Sequence, residues 1–482
     1  MSNQSESSSC GRPSIVDEAM RWVRENEGTK IDPCKGSYPS PRISSELMDC
    51  SMPLTFDQYS FCGLGCLYCF AYFFKSQNPS MKGKMGVKAV DIDALIKTME
   101  SKIKQGRTAS AMQKHFYNKK FLFHWGGLAD PFCSFEKENK EGLKLIKWLG
   151  ENNYPTLFSF KGGTVLAKPY MELWQKYSKQ RNFAFQFSIV TADDATAANV
   201  EVGVPSPTSR FKVMKTLSDM GYWTILRLRP FLIGITDRTL DEILEKSFEA
   251  GARGISTEFF AMDCRMTDGM KTRYNYLAKE MGLKDFDGLE DYFRKLSPTE
   301  RGGYRRLNRD VKERHIKKLY QFAVKHNMVL GISDPDFKEL NMSGSCCAMP
   351  DKFPDNPLLE NWSRNQLTYH LTQMRKHYHK TGECRTLTFT QCYGINTFMD
   401  ETSLANDHVA VIGVSNAVRQ RSTLRDIIRQ RWNNLDSAAN PRNYFHGKLM
   451  PAGMDNEGNM IFKYTPSSYE DRWTAEGIDL TK

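Results

Sequence analysis

Between residues 50 and 335 the chain repeats one pattern, a short apolar run followed by a longer segment of helical spacing. The runs are Met52–Phe56, Phe121–Trp125, Thr156–Phe160, Phe183–Ile189, Trp223–Leu228 and Gly254–Phe259, with a seventh at Met328–Ile332. Helices are expected between them, for example over Lys140–Asn152, Lys168–Gln180 and Ser206–Met220. Pro205 and Pro207 stand where a helix entry would be pinned. Such alternation argues for a parallel α/β sheet, because parallel neighbours need long crossovers that a helix supplies. Six consecutive β/α units fit a partial (β/α)6 TIM-like barrel.

The flanks read differently. Residues 1–12 form a polar tail, an amphipathic helix covers Ile15 to Glu27, and a Pro- and Ser-rich connector runs to Cys50. Ala71 to Lys120 is a long excursion with helices expected around Ile92–Lys104 and Ser110–Tyr117. Beyond about residue 360 the alternation fades into a mixed α/β extension, with a basic helix around Thr423–Asn433 and a hairpin turning at Asp455–Asn459. The division expected is therefore 1–50, a core over 51–350, and an extension over 351–482. No internal repeat is visible.

Three cysteines follow the first run: Cys62, Cys66 and Cys69, spaced Cys-x3-Cys-x2-Cys. Three thiolates on one tight loop can hold three irons of a [4Fe–4S] cluster and leave the fourth open to a small molecule. The alternative is a zinc knuckle, which wants a fourth ligand in a compact pattern. The next candidates are distant: His115 and Cys133 downstream, Cys50 upstream.

Reactive groups of parallel α/β folds gather at the carboxyl ends of the strands. His124-Trp-Gly-Gly-Leu-Ala-Asp ends the second run, and Gly126 and Gly127 would let backbone approach a ligand or simply make a turn. Lys161 ends the third run, Ser188 the fourth and Glu258 the sixth. Arg227 and Arg229 alternate with Leu226 and Leu228, so both face one side. Inside a lumen they need an anionic partner, a carboxylate or phosphate, with Glu258 available to pair with one; on an exposed edge they need none.

With these residues in view, the chain resembles the radical S-adenosylmethionine (radical SAM) enzymes, and within them the branch that contains spore photoproduct lyase. The resemblance rests on Ser51–Lys75, with Phe-Asp-Gln-Tyr before the cysteine loop and Cys-Phe-Ala-Tyr at its end. It continues through Gly-Gly-Leu-Ala-Asp-Pro-Phe, then a helix opening with Glu136 and Glu138, and Val204-Pro-Ser-Pro-Thr-Ser-Arg. It ends on Arg-Pro-Phe-Leu-Ile-Gly and covers about residues 50–350. It implies a [4Fe–4S] cluster on Cys62, Cys66 and Cys69, with S-adenosyl-L-methionine chelated at the open iron and cleaved to a 5′-deoxyadenosyl radical. It also implies that Gly126, Gly127 and Asp130 lie at the methionine end. Lys161 and Ser188 would contact carboxylate and ribose, and Tyr68 or Phe70 the adenine. Arg227, Arg229 and Glu258 are candidates for the substrate side. One departure stands out: the branch's hydrogen-donating cysteine, aligned through Ala129-Asp130, falls on Gly127 or Leu128. Cys133 could replace it as a moved thiol, or be a buried structural cysteine.

The extension carries its own candidates. Cys346, Cys347, Cys384 and Cys392 could hold a second iron–sulfur cluster, although adjacent cysteines project in different directions. Arg419, Arg421, Arg425, Arg429, Arg431 and Arg442 accompany Trp432, and Arg421, Arg425 and Arg429 would share a helix face. Such a stretch suits phosphate and base contact, or is a solvated basic helix.

The charge balance, 67 Lys and Arg against 56 Asp and Glu for +11, favours an anionic partner such as nucleic acid. The 12 cysteines accompany no signal peptide and no long apolar span, so a reducing, cytoplasmic setting without a membrane is expected. The expected activity is a radical SAM enzyme abstracting hydrogen from a nucleic acid, fed by a low-potential donor such as flavodoxin or ferredoxin. The alternatives are a radical SAM enzyme acting on a peptide or small molecule with a second cluster, and a non-catalytic cluster or zinc protein that binds nucleic acid.

Overall fold

The structure is a computed structural model that describes residues 15–28, 30–34, 41–43, 47–52, 54–71, 87–104, 117–118, 120–297, 299–301, 303–350, 367–393 and 424–482. Seven parallel strands form its centre: β1 (Leu54–Phe56), β2 (Phe123–Trp125), β3 (Thr156–Phe160), β4 (Phe183–Ser188), β5 (Trp223–Phe231), β6 (Gly254–Phe259) and β7 (Val329–Ile332). They pair strictly in chain order, and a short antiparallel strand, Arg42–Ile43, continues the sheet beyond β1. β7 and that edge strand do not pair, so the sheet curls into a barrel that stays open along one side. This is the partial barrel that the alternation predicted, and each expected strand lies within two residues of its place except the fifth, which runs three residues further to Phe231.

Side chains alternate across these strands as the pleat requires. Phe123, Trp125, Phe158, Phe160, Phe185, Phe187, Leu226 and Leu228 face outward into the core shared with the surrounding helices. The helices fall where the spacing put them, at Glu141–Glu151, Lys168–Tyr177 and Pro207–Asp219. Ser206 caps the last one, its hydroxyl accepting from the Ser209 N–H, with Pro207 in the first turn. The helix at Ile92–Lys104 is also present, whereas the one expected over Ser110–Tyr117 falls almost wholly outside the described residues.

The inward-facing residues form layers. At the amino ends of the strands Leu122, Leu157, Ala184 and Ile225 pack against Cys347, Ala348 and Met349. Those three come from a segment after β7 that turns back beneath the barrel and plugs it. Gln186 Nε2 donates to the Cys347 carbonyl at 2.7 Å, Ser256 Oγ to the Cys346 carbonyl at 3.0 Å, and Ser51 Oγ to Ser345 Oγ at 2.9 Å. The plug runs so close that a Cβ on Gly331 would meet the Ala348 nitrogen at 2.5 Å, which only glycine avoids. Above it lies a polar layer, with His124 Nε2 2.8 Å from Ser159 Oγ and Ser159 donating to Gln186 Oε1 at 2.6 Å. Burial, with Arg227 and Arg229 close by, pushes His124 down to about 3, so it is neutral.

Two additions shape the open end. The N-terminal helix Ile15–Asn26 sets Val23 against Gly65 and Gly203. Between β6 and β7 an insertion adds helices Asp268–Glu280 and Gly288–Leu296 and a three-stranded antiparallel sheet of Ala261–Asp263, Tyr304–Arg306 and Glu300–Arg301. The extension contributes helices Leu367–Thr381 and Leu424–Asn433 and the expected hairpin, Leu449–Met454 with Met460–Tyr464. No helix among the described residues is long and apolar enough to cross a membrane.

Candidate active site

The carboxyl ends of the strands surround a cavity of about 570 Å³. Its lining includes Cys62, Cys66, Cys69, Tyr68, Phe70, Gly126, Gly127, Asp130, Lys161, Ser188, Arg227, Arg229 and Glu258, so residues far apart in sequence converge on one space.

The cysteine loop is fixed by its backbone. Leu67 N–H donates to the Val200 carbonyl at 2.9 Å, and Gly203 N–H to the Leu64 carbonyl at 2.9 Å. Gly65 takes φ +63, a left-handed turn that glycine accepts without strain. The N–H groups of Asp130 and Leu64 point at the Cys62 sulfur. Burial pushes the Cys62 thiol up to about 11, with Cys69 and Asp130 adding to it. Cys66 is pushed up to about 12 by burial, against the pull of Lys161.

These residues fit an iron–sulfur cluster. The loop offers three sulfurs to one cavity, backbone N–H groups support one of them, and space remains beside them. No three His, Cys, Asp or Glu side chains among the described residues converge tightly enough for a single ion.

A buried ionic set lies behind the loop. Lys161 Nζ is 3.8 Å from Cys66 Sγ, 3.5 Å from Glu201 Oε1 and 4.8 Å from the centre of the Tyr68 ring. Arg210 donates to Glu201 Oε2 at 2.5 Å, and the Tyr68 hydroxyl donates to the same carboxylate. Burial works to raise the Glu201 carboxyl, but Arg210 and Lys161 outweigh it and hold the group below its ordinary value. For Lys161 burial works downward, and Cys66 and Glu201 outweigh it, keeping the amine charged.

The two glycines after β2 differ in purpose. Gly126 has φ +100, and a Cβ there would lie 2.1 Å from the Ser159 carbonyl, so packing alone demands glycine. At Gly127 a Cβ would meet nothing within 4 Å, and this backbone faces the cavity. Asp57 holds the turn, accepting from the N–H groups of Leu128 and Ala129 at 2.8 Å each while pairing with Arg42. Asp130 accepts from Phe132 N–H at 2.8 Å and Gly162 N–H at 3.1 Å, and also from Lys161 N–H, joining the loops after β2 and β3. Its carboxylate is thus spent on backbone.

Several expectations meet a different arrangement. Cys133 is fully buried and outside the cavity lining, its sulfur receiving the N–H groups of Gly63 and Phe135. Cys346, Cys347, Cys384 and Cys392 do not assemble: the first two belong to the plug, while Cys392 is buried beside Phe389 and Tyr393. Cys384 sits partly exposed after the helix Leu367–Thr381. The double substitution Cys346→Ala and Cys384→Ala is therefore expected to leave iron per chain unchanged, as measured by iron and acid-labile sulfide after anaerobic reconstitution. Trp432 is no base-stacking platform either; it is fully buried, donating to the Met460 carbonyl at 2.7 Å. Arg429 pairs with Glu457 at 3.3 Å, and Arg419 and Arg421 lie outside the described residues.

Sequence reasoning quoted Asp57 and Arg210 inside their motifs without giving them a role, and missed Glu201, Tyr304 and Arg306. Glu201 did carry a signal, as the single charge between Val200 and Val202 ahead of Gly203. Tyr304 and Arg306 reach the cavity only because the inserted sheet folds back over it, which no local pattern encodes.

No family model matches the chain, and no curated protein does. Among solved structures it is similar to spore photoproduct lyase with bound AdoMet and dinucleoside spore photoproduct, at 13% identity and TM-score 0.43, covering 68% of this chain and 87% of that one. It is also similar to SuiB of Streptococcus suis bound to S-adenosylmethionine, at 12% identity and TM-score 0.35, covering 59% of this chain and 51% of that one. The strand order and register, rather than these superpositions, define the fold as a partial (β/α) barrel with its cysteine loop after the first strand.

Proposed function

We propose that this chain is a radical SAM enzyme whose substrate is a nucleic acid. The observation that carries the reading is the convergence of Cys62, Cys66 and Cys69 with Gly127, Lys161 and Ser188 on one cavity at the strands' carboxyl ends. In this reading the three thiolates hold three irons of a [4Fe–4S] cluster. The cluster, when bound, supplies the low-potential electron that splits the sulfonium of S-adenosylmethionine.

The chain's own residues bind, orient and exclude water. Gly127 offers backbone to the methionine end, and Lys161, kept charged by Glu201, offers a cation to its carboxylate. Ser188 serves the ribose, and Tyr68 and Phe70 flank the adenine. Tyr68 is held rigidly through Glu201, whereas Phe70 is 51% exposed at the edge of the same cavity. The arginines of β5 and the net charge of +11 support a polyanionic substrate. A flavodoxin or ferredoxin is the kind of donor such chemistry needs, and a cytoplasmic setting suits it.

Anaerobic incubation of the reconstituted chain with S-adenosylmethionine and dithionite tests the reading. It is expected to yield 5′-deoxyadenosine and methionine, with the rate raised by added DNA or RNA. No cleavage under any condition would remove the enzyme reading. Cleavage indifferent to nucleic acid would turn the substrate assignment toward a peptide or small molecule.

A further inference from the structure

The side of the cavity away from the cysteine loop holds charge that the reading above leaves unused. Arg227 and Arg229 both line the cavity from β5, and Arg306 joins them from the inserted sheet. β5 stands two strands beyond β3, which ends at Lys161, and four beyond β1, which the cysteine loop follows. Glu258 lines the same side from β6. Its charge is felt by Arg227 and Arg229, yet among the described residues none of the three arginines makes an ion pair with a carboxylate.

Their hydrogen bonds are also incomplete. Arg227 reaches Ser188 Oγ at 3.4 Å, and Arg229 donates to the Cys346 carbonyl; the Nε of each is buried without a partner. Burial, with Arg229 adjacent, pushes Arg227 down to about 10. The other anionic candidate is Cys346, whose thiol is drawn below its ordinary value by a hydrogen bond from Cys347 and by Arg229, against burial. Arg227 and Arg229 thus share Glu258 and at most one thiolate between them, while Arg306, partly exposed and 5.9 Å from the centre of the Tyr304 ring, brings a third positive charge to the same cavity lining.

We propose that Arg227, Arg229 and Arg306 form the seat for an anionic oxygen group of the substrate, a phosphate or carboxylate, across the cavity from the cysteine loop. The guanidinium fork suits either group, and a bound anion would occupy the unmet donors. In that reading the cofactor's own carboxylate belongs beside the cluster and Lys161, two strands from the arginines of β5. Arg306 rides on the antiparallel sheet, so the seat combines a fixed pair on the barrel wall with one arm from the insertion.

The seat rests on the radical SAM reading only in taking the anion to be the substrate's, and its test separates the two. Inorganic phosphate binding is followed by ³¹P line broadening on the full chain, both cluster-free and reconstituted with S-adenosylmethionine present, with acetate as the carboxylate probe. Saturable binding is expected in both forms. It should weaken about tenfold in Arg227→Gln and in Arg306→Gln, while in Arg306→Gln, which does not touch Ser188, S-adenosylmethionine affinity stays within about twofold of wild type. Arg229→Gln is avoided because Arg229 also anchors the plug. Phosphate binding that ignores both substitutions would overturn the seat. So would a parallel loss of S-adenosylmethionine affinity in Arg306→Gln, which would hand the arginines to the cofactor. Failure to assemble a cluster leaves the cluster-free phosphate result standing, and so strikes the enzyme reading alone.

Discussion

Replacing Cys62, Cys66 and Cys69 together by alanine is expected to take reconstituted iron from about four per chain to none, and S-adenosylmethionine cleavage with it. Among the described residues the loop has no reserve ligand. Cys133, although near Cys62, is buried with its sulfur turned to the Gly63 and Phe135 N–H groups. Cys346 and Cys347 lie in the plug, among residues from the amino ends of the strands. The chain should stay folded, because the loop is tied by the backbone bonds from Leu67 to Val200 and from Gly203 to Leu64. Iron and sulfide assay beside far-ultraviolet circular dichroism checks both halves. Iron retained at wild-type level in a folded variant would show that these thiols are not the ligands, and a single zinc in wild type would replace the enzyme with a binding protein.

The second large effect is on stability. Glu201→Gln is expected to lower unfolding free energy by about 3–5 kcal/mol, the usual result of removing one partner from a buried ion pair. Glu201 is 1% exposed and faces both Lys161 and Arg210, so its loss strands two buried cations and frees the Tyr68 hydroxyl. Against a typical total of about 5–15 kcal/mol this brings the variant close to unfolding. The pH dependence gives the sign. The folded carboxyl lies below its ordinary value of 4.5, so its contribution is complete above that pH and is lost as pH falls through the folded value. Urea midpoints for the two proteins should therefore lie far apart at pH 7 and draw together in acid. A constant gap down to pH 3 would mean that the carboxylate's charge is not what Lys161 and Arg210 require.

The barrel was legible because strand burial writes itself into the chain. Phe183, Phe185 and Phe187 had to alternate with Ala184, Gln186 and Ser188 once one face met helices and the other a lumen. The site residues at strand ends were legible for the same reason, since the end of each apolar run marks where a side chain meets the cavity. What stayed hidden depends on chain that returns from elsewhere. The insertion delivers Tyr304 and Arg306, and the plug delivers Cys346 and Cys347 beneath the lumen. Trp432 misled because an aromatic between arginines reads as surface, whereas its helix turns that face inward to Phe389 and Phe462.

The plug bears on traffic through the barrel. Cys347, Ala348 and Met349 seal its amino end with a dry layer of Leu122, Leu157, Ala184 and Ile225. Among the described residues the amino end offers no way through, so whatever reacts inside enters and leaves by the carboxyl-end doorway beside the cysteine loop and the inserted sheet, or by the side left open between β7 and the edge strand. A long polymer could not thread the lumen; it could only present one unit at that doorway, turned in from its own axis.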